Sequence, residues 1–297
     1  MSSFPQEYKE GLFKGKLRSN KPKLILLFGP PASGKGYLYD KVKAKFDIND
    51  INTIDTSVDA FVENDPEYKR EMSASCIKKY SDLDCLSKVE ENSIMDECTQ
   101  IYLKYKKIAD QYSESSMYDG FNGNFNVVLE VSGNSFNWVT DVVLRKLPAN
   151  YTIILLYPLV DERELYVRSC NRAKKVGRYV SREFIKNSIK KCEEIILRIK
   201  NGDILQKANV YIYDNRSTPK LIYKKVDDQE SKYKIKNIYK DAYPENLISK
   251  IVGGYEVVSR VYILLVIIII MLYCSGIINY AICNFYPCGY AFVDTNL

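Results

Sequence analysis

The sequence predicts an α/β fold: a mostly parallel sheet flanked by helices, with a C-terminal transmembrane helix appended. Three observations carry that expectation. A Gly-rich loop, Gly29-Pro30-Pro31-Ala32-Ser33-Gly34-Lys35-Gly36, joins an apolar run to a segment able to form a helix. Four further apolar runs alternate with polar stretches of helical period, as right-handed crossovers between parallel strands require. Near the C terminus, residues 261–283 form a stretch of 23 residues without a charge.

The loop follows Leu24-Ile25-Leu26-Leu27-Phe28 and precedes Tyr37-Leu38-Tyr39-Asp40-Lys41-Val42, which is strand, turn, helix. Such a turn aims successive backbone N–H groups at a phosphate, and the helix adds the positive end of its dipole. Gly29 to Lys35 completes G-x-x-x-x-G-K, with Lys35 placed to reach the β- and γ-phosphates. The candidate nucleotide-binding residues are therefore Gly29, Pro30, Pro31, Ala32, Ser33, Gly34, Lys35, Gly36 and Tyr37. The pattern breaks at one position. After the lysine a Ser or Thr hydroxyl ordinarily holds Mg²⁺, and here Gly36 and Tyr37 follow. The sequence names no metal ligand.

Composition narrows the chemistry. The 297 residues suit one α/β domain with a small appendage, and the net charge of +6 is too mild to argue for nucleic acid. There is no histidine, so proton transfer falls to Asp, Glu, Lys, Tyr or Cys. None of the eight cysteines forms a C-x-x-C pair, which argues against a zinc or thioredoxin-like site. Reduced, mostly buried thiols in a cytosolic protein are the expectation, while Cys283 and Cys288 leave lipidation or pairing open.

In chain order, residues 1–22 read as a flexible basic leader. Residues 23–215 read as the phosphate-loop domain. Within it, Ile51 to Asp55 suggests a short strand with Asp55 and Asp59 at or beyond its C-terminal end, where open α/β sheets bind ligands. Glu91 to Tyr112 carries apolar residues at spacings of three and four, the mark of an amphipathic helix. Gly120 to Asn124 reads as a loop. Phe125 to Val131 is a buried-strand pattern that places Glu130 and Ser132 near a strand end. A short helix over Trp138–Leu147 and a central strand over Tyr151–Tyr157 follow. A helix from Asp161 to Val176 then bears Arg168 and Arg172. Gly177-Arg178 breaks it, and Ser181 caps the next helix, to Lys200. Asn209 to Asp214 supplies a fifth strand. Arginines after the fourth strand suit a lid that neutralises charge during phosphoryl transfer.

Residues 216–260 read as a polar appendage or linker, with strand pieces expected at 220–224 and 233–235. As a helix, residues 261–283 would span roughly 34 Å, enough for a bilayer core of about 30 Å. Arg260 and Lys250 precede them, and the tail 284–297 holds only Asp294. The positive-inside rule then predicts a single-pass, tail-anchored protein with its N-terminal domain in the cytosol.

Taken as an ordered set, these blocks resemble the zeta-toxin family of P-loop kinases over about residues 23–215. The blocks are the phosphate loop, Asp59-Ala60-Phe61 with Asp65-Pro66-Glu67-Tyr68, Val127 to Ser132, the Arg-bearing helix, and Gly177 to Ser181. Val62 and Asp65 stand where that family has a basic residue and a histidine. The resemblance implies a P-loop kinase that uses ATP and Mg²⁺ on a small-molecule hydroxyl, such as a UDP-activated amino sugar. By position it implies Asp59 as general base and Glu130 placing the substrate, with Ser132 beside it. It also implies that Lys35, with Arg168, Arg172 or Arg178, holds the triphosphate. The alternative is a nucleotide-binding membrane adaptor with little catalysis, motivated by Gly36. No N-K-x-D base-reading motif supports a GTPase, and no protein partner is identified.

Overall fold

The structure is a computed structural model that describes residues 4–81, 92–226 and 229–232. These lie in one compact unit, residues 1–243. Seven strands form one sheet in the order β2-β3-β1-β4-β5-β6-β7. The helix α1 (Phe4–Phe13) precedes β1 (Lys23–Phe28), α2 (Lys35–Val42), β2 (Thr53–Asp55), α3 (Val58–Asn64) and α4 (Pro66–Met72). The long α5 (Asn92–Asn122) leads into β3 (Asn126–Val131). An irregular helical run over residues 136–146 precedes β4 (Thr152–Leu159), α6 (Glu162–Val176), α7 (Arg182–Lys200) and β5 (Asn209–Asp214). The first five strands are parallel. Then β6 (Lys220–Val226) and β7 (Gln229–Lys232) run antiparallel along one edge.

Strand β1 is central because both its faces are buried. Ile25 and Leu27 join Leu38 and Val42 of α2 on one side. Phe28 meets Phe136 and Tyr157, with ring centroids 4.8 and 5.6 Å apart. A strand covered on both faces reads as a continuous apolar run, which is why Leu24 to Phe28 was legible. A second cluster joins α3, α4, α5 and α6 through Phe61, Tyr68, Met72, Ile101 and Ala173.

Several expectations are corrected. The leader is helical over Phe4–Phe13: Tyr8 and Leu12, one turn apart, pack against the second cluster, and Tyr8 meets Phe61 edge-on at 4.9 Å. The appendage begins as part of the sheet, because Ile222 and Tyr223 of β6 are buried; the strand expected at 233–235 lies outside the described residues. Instead of free thiols, Cys76 and Cys98 form a disulfide with Cα atoms 5.9 Å apart, and Cys170 is disulfide-bonded too. Among the described residues Cys192 is the free cysteine, and it is buried.

The fold class is corrected as well. Among the described residues no helix is long and apolar enough to cross a membrane. The two longest, α5 and α7, carry charged residues along their length and bury only one stripe. The segment 261–283 lies outside the described residues. What stands among the described residues is an α/β P-loop architecture with a mostly parallel sheet, and no transmembrane helix lies among them. The tail-anchored, membrane-bound placement is withdrawn too.

Candidate functional site

The phosphate loop sits between the C-terminal end of β1 and the first turn of α2. Gly34, at the N-cap of α2, has φ 78° and ψ 38°, a left-handed geometry that glycine adopts without the Cβ penalty. Ala32 adopts φ 61°, an uncommon conformation for a residue with a Cβ. Lys35 is 7% exposed. Its Nζ donates to the Gly29 and Pro30 carbonyls, each at 3.1 Å, and pairs with Glu130 Oε1 at 3.1 Å. Parallel register places Glu130 of β3 beside Leu27 of β1, so adjacent strands deliver both charges to the same end of the sheet.

Asp59 lies in the first turn of α3, where a helix N-terminus favours a carboxylate. Arg178 reaches it from beyond the C-terminus of α6, with NH1 2.7 Å from Oδ2 and NH2 2.9 Å from Oδ1. The Tyr102 hydroxyl of α5 donates to Asp59 Oδ1 at 2.8 Å. Arg178 also pairs with Glu63 at 2.8 Å and lies over the Tyr102 ring, 4.2 Å from its centroid. Burial pushes the Asp59 carboxyl up, but the charge and hydrogen bonds of Arg178 outweigh it and hold Asp59 below the usual carboxylate range. Burial likewise lowers Arg178, and the Asp59 charge overrides it, raising its pKa.

Arg172 differs from the other two lid arginines. It is half-buried, and its Nε and one terminal nitrogen are shut off from solvent without a hydrogen-bond partner. Burial and then the Arg178 charge lower its pKa. Lys35, Asp59, Glu130, Ser132, Arg172 and Arg178 line one cavity of about 900 Å³, with Pro31 and Ala32 at its loop side. Tyr102, Leu103, Trp138 and Phe184 add an apolar wall. The Ser132 hydroxyl lies 3.3 Å from that of Ser135.

Arg168 does not line this cavity. Its NH2 donates to the Asn215 and Arg216 carbonyls at 3.0 and 3.2 Å, and Nε to Glu164 at 2.8 Å. Gly29, Pro30, Ser33 and Gly34 shape the loop without lining the cavity. Tyr37 is 48% exposed beside the Lys41 ammonium. Tyr102 escaped the sequence reading because its spacing on α5 resembled a core position. Asn215 was findable: it directly follows β5, at the ligand-binding end of the sheet.

A triphosphate fits these residues: the left-handed Gly34, the helix N-terminus, Lys35 and the unspent donors of Arg172 all favour an anion. A magnesium ion fits less well, since it takes oxygen ligands. Gly36 supplies none, Glu130 is committed to Lys35, and Asp59 to Arg178. Among the described residues no group of three Asp, Glu, Cys or His side chains is arranged to hold a metal.

No family model and no curated protein matches the chain. The similarities are structural. The chain is similar to a chain of the AvrRxo1-ORF1:AvrRxo1-ORF2 crystal structure with sulphate ions, at TM-score 0.52 and 10% identity, over 81% of this chain and 71% of that one. It is also similar to a structure of the PezAT chromosomal toxin-antitoxin system of Streptococcus pneumoniae, at TM-score 0.49 and 16% identity, over 75% and 81%. A gluconokinase from Sinorhizobium meliloti 1021 is similar at TM-score 0.32 and 13% identity, over 67% and 86%. At such identities the likeness is one of fold. The expected resemblance is met as a likeness of fold.

Proposed function

We propose that the protein is an ATP-dependent kinase that transfers the γ-phosphoryl group to a hydroxyl of a small molecule. One observation carries the reading: Arg172, which lines the cavity with Lys35 and Asp59, holds two buried nitrogens with unspent N–H donors. Buried N–H donors without partners are costly, and a phosphate would satisfy them.

In this reading the loop amides and Lys35 hold the triphosphate, and Arg172 neutralises charge on the transferring group. Tyr102 and Arg178 hold Asp59 ionised and oriented. The acceptor oxygen bonds to the γ-phosphorus as the bridging P–O bond to ADP breaks, and the hydroxyl proton passes to Asp59. A carboxylate of depressed pKa is a weak base, which suffices when the transition state is loose and positioning dominates. Incubating the full-length protein with γ-labelled ATP, Mg²⁺ and a panel of nucleotide sugars and polyols tests this. Label transfer is expected, with at least about a hundredfold loss in Lys35→Ala and Asp59→Asn. Transfer that survives unchanged in Asp59→Asn would sink the mechanism.

Gly36 favours a second reading, a nucleotide-binding protein with little turnover. A Cβ at Gly36 would meet nothing within 4 Å, so a hydroxyl can be added without disturbing the loop. Gly36→Ser is expected to tighten Mg²⁺-dependent ATP binding by roughly tenfold, as a gained metal-site contact commonly does. Titration calorimetry with and without Mg²⁺ reads this. ATP binding without transfer in both proteins supports the second reading.

A further inference from the structure

The phosphate loop is held from behind by a residue outside any nucleotide motif. Asn215 is 1% exposed and directly follows β5. Its backbone N–H donates to the Leu159 carbonyl at 3.0 Å, which fixes it to the end of β4. Its side-chain Nδ2 donates to the Ser33 carbonyl at 2.8 Å and the Gly34 carbonyl at 3.2 Å. Arg168 completes the arrangement, since NH2 holds the Asn215 carbonyl and NH1 lies 3.5 Å from the Ser33 carbonyl.

The consequence follows from peptide geometry. In a trans peptide the C=O of one residue and the N–H of the next point in opposite directions. Pinning the Ser33 and Gly34 carbonyls to Asn215 therefore turns the Gly34 and Lys35 N–H groups the other way. It also keeps two carbonyl dipoles away from an anion that they would repel. The fit is close: a Cβ on Gly34 would stand 2.8 Å from Asn215 Nδ2, so Gly34 serves this contact as well as its backbone angle.

We propose that Asn215, braced by Arg168, is a positioning residue that presets the phosphate loop for an anion. The proposal rests on the nucleotide-binding reading for its ligand, but its structural part does not. It also gives Arg168 a role in bracing the loop backbone rather than in touching phosphate.

Asn215→Asp and Asn215→Ala are the probes. The first keeps shape but sets a carboxylate oxygen against two carbonyls; the second removes the donor and serves if the first does not fold. Two readouts separate the questions. Amide hydrogen exchange over residues 29–38 of the nucleotide-free full-length protein is expected to quicken at least tenfold in the variants. Exchange in β4 and α7 should stay at the wild-type rate. ATP binding, measured by calorimetry, is expected to weaken roughly tenfold, the worth of about one lost hydrogen bond to a buried group. Unchanged exchange at 29–38 in a folded variant overturns the positioning role. Exchange that quickens equally across the whole domain also overturns it, because Asn215 would then be merely structural. A wild-type protein that binds no ATP refutes the nucleotide reading, and the exchange result still decides the positioning role.

Discussion

Arg178→Ala is expected to lower stability at neutral pH by about 3 kcal/mol, the low end for removing one partner of a buried ion pair. The low end applies because the Arg178 and Asp59 side chains keep 12% and 28% exposure. The cost comes from Asp59, which would remain largely buried with only the Tyr102 hydroxyl and the more distant Arg172 charge to support it. The pH dependence has a definite sign. Arg178 depresses the folded-state pKa of Asp59, so the native protein binds fewer protons there than the unfolded chain. That stability is fully present above the unfolded value of about 3.9 and is lost as pH falls through the depressed folded value. In Arg178→Ala the upward push of burial is left largely unopposed, so the depression of the carboxyl is lost. The gap between wild type and variant should therefore be widest at neutral pH and narrow in acid. Urea unfolding of both proteins across the acid range measures it, and a gap of constant size would refute the assignment.

What the sequence made legible follows from what each element must satisfy alone. β1 and β4 read clearly because a central parallel strand is apolar on both faces. The cap at Ser181 was equally visible, since its side chain satisfies a helix N-terminus locally, accepting from the Phe184 N–H group. Gly120 misled for the opposite reason. It reads as a loop residue, yet it lies inside α5, where glycine is required because a Cβ would come 2.8 Å from Val127 Cγ2. That requirement belongs to helix-on-strand packing and leaves no local signal. The site divides in the same way. Lys35 and Asp59 announce themselves by motif, and the structure brings both to one cavity. The different uses of Arg168, Arg172 and Arg178 depend on which way each guanidinium turns. Residues at spacings of four and six in one basic run cannot reveal that.

Removing the Cys76–Cys98 disulfide is the second change with a large expected effect. The bond joins residues 22 apart in sequence, and closing a loop of that length stabilises a fold by about 3 kcal/mol in the chain-entropy account. For a domain of this size that corresponds to a fall in Tm of roughly 10 °C. Its position gives it a second consequence. Cys98 stands one turn before Tyr102 on α5, whose hydroxyl donates to Asp59, and Cys98 also lines the cavity. Cys76 is buried in the same apolar cluster as Phe61 of α3 and Ala173 of α6. The bond thus ties the helical segment after α4, packed in that cluster, to α5, the helix that carries Tyr102. Cys76→Ala with Cys98→Ala avoids leaving a buried hydroxyl unpaired, and thermal melts of this double variant isolate the one bond. Wild type treated with dithiothreitol should fall at least as far, because Cys170 loses its own disulfide too. A double variant that melts with untreated wild type would show that packing in the cluster, rather than the covalent link, holds α5 against its neighbours.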